Sequence, residues 1–408
     1  MFKFILFLTI YCPAIIFAKG HGNTVCLNMI VKNESAVICR CLESVTPLID
    51  YWVIVDTGST DGTQEIIRNY MKDVPGELYE RPWKNFGHNR NEALSLAKGK
   101  ADYVLFIDAD ETLKFAADFQ CPELSKDFYY ITTEYSGTHY HRIQLIKNFL
   151  DWQWIGVLHE TVCSPSAKSY DVLKGVVNFV RSDGDRSKDP EKFQKDAKLL
   201  EAVLKEEPHN SRYVFYLAQS YRDAGDYPEA IKNYQKRITM GGWDQEIFWS
   251  HLQIGIMKEL MKNSETEVVK SYQDAFFKRP SRAEPLYRLA HFYRKNKNYL
   301  EGYRAALLGL TVPYSQDSLF VEHWIYDYGL LMEFSICAYW LEKYNESLLA
   351  SQLLLSKTSL PQNFRECVEK NLTWIHEKMA AISQEYKNEI ARQRLQASNE
   401  PFKLYLTE

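Results

Sequence analysis

Asp108-Ala109-Asp110-Glu111 follows the apolar run Val104-Leu105-Phe106-Ile107. Alternate residues of a strand share a face, so Val104, Phe106, Asp108 and Asp110 point the same way if the strand persists, with both carboxylates at its carboxyl end. Acids that converge there repel unless a cation lies between them. A hard divalent ion is commonly held by one or two carboxylates together with substrate phosphates, and it neutralises the charge of a departing diphosphate. A bare D-x-D is equally compatible with a solvated loop or a helix cap, so its surroundings have to decide.

Two other segments carry polar groups to the same edge. Ile54-Val55-Asp56-Thr57-Gly58-Ser59-Thr60-Asp61-Gly62-Thr63 places an acid at a strand end, then a tight turn, then residues suited to capping the next helix. Asp61 and Thr63 read as caps. Asp56 lies at the strand edge, where ligands of open α/β sheets bind and where a carboxylate accepts hydrogen bonds from a base or ribose. In Asn85-Phe86-Gly87-His88-Asn89-Arg90-Asn91-Glu92-Ala93-Leu94, Arg90 falls near a helix amino terminus and adds positive charge to a region that already favours anions. The competing reading of Arg90 is a surface ion pair with Glu92 or Glu111, which contributes little.

These residues need elements to position them. Residues 25–31, 51–56 and 102–107 read as strands, the last apolar on both faces as a strand covered on both sides must be. Apolar residues at helical spacing lie between them, at Val37, Cys41 and Val45, and again at Ile66, Ile67, Tyr70 and Met71. Strands alternating with helices imply a mostly parallel sheet with right-handed crossovers, an α/β, Rossmann-like domain over residues 22–185.

Beyond Asp189-Pro190 the strand signals stop. Ala218, Tyr221, Tyr227 and Ala230 recur 72 residues later as Ala290, Tyr293, Tyr299 and Gly302, about two periods of the roughly 34-residue tetratricopeptide repeat. Gly255, Tyr272, Ala275 and Pro280 form a looser middle copy, and Ser335, Tyr344 and Ser347 a fourth. Small residues recur where paired helices approach closely, and the aromatics fill the gaps between repeats. An all-α solenoid is expected over residues 190–390, followed by a tail at 391–408.

The chain has 408 residues, 46% of them apolar, which excludes disorder and favours two domains over one core. Lys and Arg number 49 against 53 Asp and Glu, a net charge of -4, so nucleic acid is not an expected partner. Lys3 precedes an apolar run from Phe4 to Phe17, so residues 1–18 read as a signal peptide or a short anchor. Cleavage places the protein in the secretory pathway or the periplasm; retention implies membrane association through the N-terminus. The eight cysteines are scattered without a disulfide spacing, and most are expected as buried thiols.

Taken together, Met29-Ile30-Val31-Lys32-Asn33-Glu34, the 55–63 segment, Asn89-Arg90-Asn91 and Asp108-Ala109-Asp110-Glu111 resemble, in order and spacing, the GT-A core of family 2 glycosyltransferases. The helical half resembles the tails of bacterial members, including the peptide S-glycosyltransferases. The resemblance implies inverting transfer, of hexosyltransferase type, from a nucleotide-diphosphate donor such as a UDP-sugar, with Mn2+ or Mg2+ as cofactor. The acceptor is expected to be a peptide, protein or glycan presented by the repeats.

Carried over by position, Asn33, Asp56, Arg90 and Asp108 contact the donor nucleotide, and Asp108 and Asp110 hold the metal. Trp152-Gln153-Trp154-Ile155-Gly156-Val157-Leu158-His159-Glu160 resembles the tryptophan-rich segment ending in His-Glu of related transferases. Glu160 is then the candidate base, His159 a further metal ligand or a diphosphate contact, and Trp152 and Trp154 candidates for stacking on a sugar; the alternative is that the tryptophans and His159 are structural. The core is short, which implies a reduced acceptor subdomain. Two other functions compete: a nucleotidyltransferase using a similar site, and a repeat-based scaffold with an inactive transferase domain.

Overall fold

The computed structural model describes residues 22–135 and 138–399. The leader expected at 1–18 lies outside them. Among the described residues no helix is long and apolar enough to cross a membrane. By contact, the chain divides into a unit ending at Pro208 and a second beginning at His209.

The first unit opens with β1 (Val25–Val31), α1 (Ile38–Val45), β2 (Tyr51–Asp56), α2 (Thr63–Tyr70), β3 (Gly76–Glu80), α3 (Phe86–Ala97) and β4 (Tyr103–Phe106). Helices cover both faces of this half-sheet. Leu27, Met29 and Ile54 pack with Ile38, Leu42 and Val45 of α1 and Ile67 of α2, whereas Cys26, Val53, Val104 and Phe106 pack with Leu94 and Ala97 of α3. Burial on both faces is what makes these strands continuous apolar runs rather than alternating ones.

The chain then adds β5 (Glu111–Phe115), β6 (Phe128–Tyr135), β7 (Thr138–Lys147), β8 (Gln153–Ile155), β9 (Thr161–Cys163) and β10 (Tyr170–Val180). The main sheet runs β3-β2-β1-β4-β7-β6-β10-β5, and β8 and β9 form a separate ribbon. Strands β3, β2, β1 and β4 are mutually parallel, β7 is antiparallel to both β4 and β6, β10 is parallel to β6 and β5 antiparallel to β10. The parallel half is the part the strand–helix alternation had indicated.

One expectation changes at the acids. The strand does not persist to Asp110: β4 ends at Phe106, and the Glu111 amide donates to the Asp108 carbonyl at 3.0 Å. Asp108 and Asp110 therefore lie in the turn between β4 and β5. The Asp108 amide also donates to Glu111 Oε2 at 3.2 Å, so the Glu111 side chain closes the turn that its own strand leaves.

After α4 (Lys192–Glu206), which groups with the first unit although it lies beyond the 185–190 junction, the second unit pairs its helices. These are α5 (Ser211–Asp223) with α6 (Tyr227–Thr239), α7 (Asp244–Leu260) with α8 (Glu265–Lys278), α9 (Glu284–Lys295) with α10 (Tyr299–Leu310), and α11 (Leu330–Trp340) with α12 (Tyr344–Ser356). The recurring small residues stand where helices meet. A Cβ on Gly255 would lie 2.6 Å from the Tyr272 ring, and one on Gly302 would lie 3.2 Å from the Ala290 carbonyl. In the fourth pair Ser335 Oγ is 2.8 Å from Ser351 Oγ.

Helix α13 (Gln362–Asn399) then runs without Gly or Pro through residues 391–399, which were expected in the tail. Burial of the thiols is narrower than expected: Cys26, Cys41 and Cys337 are buried, but Cys39 and Cys367 are exposed.

Candidate active site

At the end of β2 the chain turns on itself. Asp56 is fully buried, and its Oδ1 accepts from the Gly58 amide at 2.9 Å, the Ser59 amide at 2.8 Å and Gln64 Nε2 at 3.1 Å. Gly58, at φ 108°, supplies the backbone conformation this turn needs. Asp56 Oδ2 is buried with no hydrogen-bond partner. Such an orphan costs free energy unless something supplies a donor.

Asn33, just past β1, is left-handed at φ 56° and ties down the same turn: its Oδ1 accepts from the Thr60 amide at 2.9 Å, and its own amide donates to Ser59 Oγ at 2.8 Å. Asp61 accepts from the Thr63 hydroxyl and from the Thr63 and Ser35 amides, and hydrogen bonds from these two residues outweigh the upward push of burial and hold its carboxyl well below the usual range. Asp61 and Thr63 are not the caps expected: α2 has Gly62 at its N-cap with no side-chain cap, Thr63 opens the helix, and Asp61 fastens the loop after β1 to it.

Helix α3 starts at an Asn85 cap whose Oδ1 accepts from the His88 amide at 2.8 Å. Its first turn presses on the segment that leads to Glu160, because a Cβ on Gly87 would lie 2.1 Å from the Gly156 carbonyl oxygen. Arg90 emerges one turn later. Its Nε donates to Glu160 Oε1 at 2.5 Å, its Nη2 to Asp108 Oδ1 at 2.6 Å, and the guanidinium lies 5.0 Å from the centre of the Trp154 ring. The side chains of Arg90 and Glu160 are 11% and 10% exposed, and that of Asp108 is 36% exposed.

The surface pairs considered for Arg90 do not form: Glu92 binds Arg81 at 3.0 Å, and Glu111 binds Arg142. Trp152 and Trp154 are used in packing, against Phe128 and Phe106 respectively. Replacing Gly87 by Ala in an unobstructed helix would gain about 1 kcal/mol. Against a backbone carbonyl we expect the opposite sign, a net loss of about 1–3 kcal/mol in urea unfolding. Unchanged or raised stability would show that α3 can withdraw freely.

Arg142 was not singled out from sequence, and Glu111 and Glu34 entered only within their motifs, Glu111 also as a surface partner considered for Arg90. Arg142 grips Glu111 with two hydrogen bonds of 2.7 Å, and its Nη2 lies 3.9 Å from Asp108 Oδ2. Asp108 thus faces an arginine on each oxygen. Burial pushes its carboxyl up, but Arg90 and Arg142 outweigh it and hold the group below the usual range. Burial and the Asp108 charge push Glu111 the other way, against Arg142. The available signal was an arginine inside an otherwise strand-like run, with no acid adjacent in sequence.

The second acid is placed differently. Burial and the charges of Asp108 and Asp183 raise the Asp110 carboxyl. A Cβ on Gly184 would lie 3.0 Å from Glu34 Oε2 and 3.3 Å from Asp110 Cβ, so Gly184 lets the residue after Asn33 approach the acid turn. Burial, with Asp110 and Asp185 nearby, pushes Glu34 up to about 7.

Arg90, Asp108 and Glu160 are therefore in direct contact, Asp110 stands beside Asp108, and Asn33 and Asp56 share the neighbouring turn. His159 is exposed, at φ 52°, in the β8–β9 connection. Among the described residues no three His, Cys, Asp or Glu side chains are gathered as a metal cage, so Asp108, Asp110 and His159 do not form one. A two-carboxylate site completed by phosphate oxygens requires no such cage. Burial first and then the Asp108 charge raise Asp110, and a cation beside the pair would relieve the repulsion.

These acids and an arginine stand at the carboxyl edge of a parallel half-sheet, the edge where open α/β sheets take their ligands. Residues 26–118 match the family described as Glycosyl transferase family 2, and the first unit carries a domain of that family. The SPbeta prophage-derived glycosyltransferase SunS of Bacillus subtilis is 26% identical over 245 residues, covering 54% of this chain and 56% of its own length. The lipopolysaccharide core biosynthesis glycosyltransferase LpsC of Rhizobium meliloti is 34% identical over 97 residues, covering 24% of this chain and 35% of its own. The chain thus spans about half the length, or less, of these curated relatives.

A tetratricopeptide repeat protein from Parabacteroides merdae overlaps 48% of this chain and 73% of its own, at 17% identity and a TM-score of 0.35. That likeness is too slight to argue from, and the helix pairs carry the repeat architecture.

Proposed function

We propose that the first unit transfers a sugar, with inversion, from a nucleotide-diphosphate donor to an acceptor bound by the helix pairs. The observation that carries this reading is Arg90 joining Asp108 to Glu160 at the ligand edge of a family 2 domain. Asp56 Oδ2, the orphaned acceptor, is suited to an N–H of the nucleobase. Asn33 holds the turn that frames the nucleoside, and Arg90 provides fixed positive charge for the nucleotide's phosphates.

Asp108 and Asp110 would hold a Mn2+ or Mg2+ ion, which supplies charge neutralisation at the diphosphate when bound. Arg90 orients Glu160. As the acceptor's hydroxyl or thiol attacks the anomeric carbon, the bond to the diphosphate breaks and the acceptor proton passes to Glu160. One relative's name points to lipopolysaccharide core, a glycan, and peptide, protein and glycan acceptors all stay within the proposal.

The test is release of nucleoside diphosphate from a panel of nucleotide sugars by the full chain with Mn2+. At least one donor, a UDP-sugar first, is expected to turn over and to stop on adding EDTA. Neither turnover nor binding of any donor would favour an inactive domain serving as a scaffold; release of pyrophosphate would indicate nucleotidyl transfer.

A further inference from the structure

The contact between Arg142 and Glu111 joins two strands that are not neighbours. Arg142 is on β7 and Glu111 on β5, with β6 and β10 between them in the strand order. The short way round is through β4, which pairs directly with β7, Leu105 opposite Leu145. Carried three residues further, that register sets Asp108 beside Arg142, and Glu111 closes the turn that begins at Asp108.

Glu111 is 2% exposed and accepts two hydrogen bonds from Arg142 while also accepting from the Asp108 amide. The guanidinium keeps about a third of its surface exposed and faces the Asp108 oxygen that Arg90 does not hold.

We propose that Arg142 is a positioning residue for the donor site: by gripping Glu111 from β7 it fixes the 108–111 turn, and by facing Asp108 Oδ2 it aims that carboxylate at the metal–diphosphate. This rests on the donor-binding role proposed above for Asp108. Lysine cannot replace it fully, since a point charge lacks the fork that meets both Glu111 oxygens. Residues that orient a metal-binding carboxylate typically cost about 10- to 100-fold in metal affinity or activity when replaced.

The test compares Arg142→Lys, Arg142→Gln and the double variant Arg142→Gln/Glu111→Gln in the full chain. Each is followed by urea unfolding, by calorimetric titration with uridine diphosphate plus Mn2+, and by steady-state kinetics. The double variant removes the buried unpaired carboxylate and is expected to unfold near the wild-type urea concentration. It should still bind Mn2+–UDP about 10- to 100-fold more weakly. Donor KM and the Mn2+ activation constant should rise more than kcat falls, with Arg142→Lys between Gln and wild type.

A folded double or Lys variant with wild-type affinity overturns the proposal. Loss of folding in all three assigns Arg142 to stability alone and overturns it too. A wild-type chain that does not bind Mn2+–UDP removes the donor-site reading itself, a distinct result.

Discussion

Glu160→Gln is expected to bind donor as the wild type does while transfer falls by about 10²–10⁴-fold, the range for loss of a general base. The substitution is nearly isosteric, and the amide oxygen can still accept the 2.5 Å hydrogen bond from Arg90 Nε, so the geometry around Asp108 should survive. What disappears is the capacity to take the acceptor's proton. A fall in kcat with the nucleotide dissociation constant unchanged supports the role; turnover near wild type would mean that another group takes the proton.

Asp108→Asn attacks the other end of the same bridge. Each Asp108 oxygen faces a guanidinium, Arg90 at 2.6 Å and Arg142 at 3.9 Å. An amide has one acceptor and one donor end, so whichever way it turns its NH2 meets an arginine. The variant loses a charge, a metal ligand and one partner of Arg90 together. Metal-dependent nucleotide binding should weaken by at least about 100-fold, or about 2.8 kcal/mol at about 1.4 kcal/mol per decade.

How far the sequence anticipated this site depended on the range of the contacts. The β1 and β2 spans were readable because strands buried on both faces are unbroken apolar runs. The antiparallel half was not, since β6 and β7 shift register between Tyr129 and Tyr130, and β10 shifts against β6 between Val172 and Val177. The acids were found, but on a turn rather than a strand, because the Glu111 side chain folds back onto the Asp108 amide.

Arg90, Asp108 and Glu160 were each recognised but their contact was not: Glu160 is 70 residues from Arg90 in sequence and reaches it only because Gly87 admits the Gly156 turn. Arg142, 31 residues from Glu111 and with two strands between them in the sheet order, was marked only as an arginine inside a strand-like run, with nothing to point to its partner.

Titrating the full chain with uridine diphosphate, with Mn2+ and then with EDTA, beside Asp108→Asn, tests the central claim most directly. Saturable binding that requires Mn2+ and is largely lost in the variant is the predicted result. Binding of equal strength in EDTA and in Asp108→Asn would contradict it.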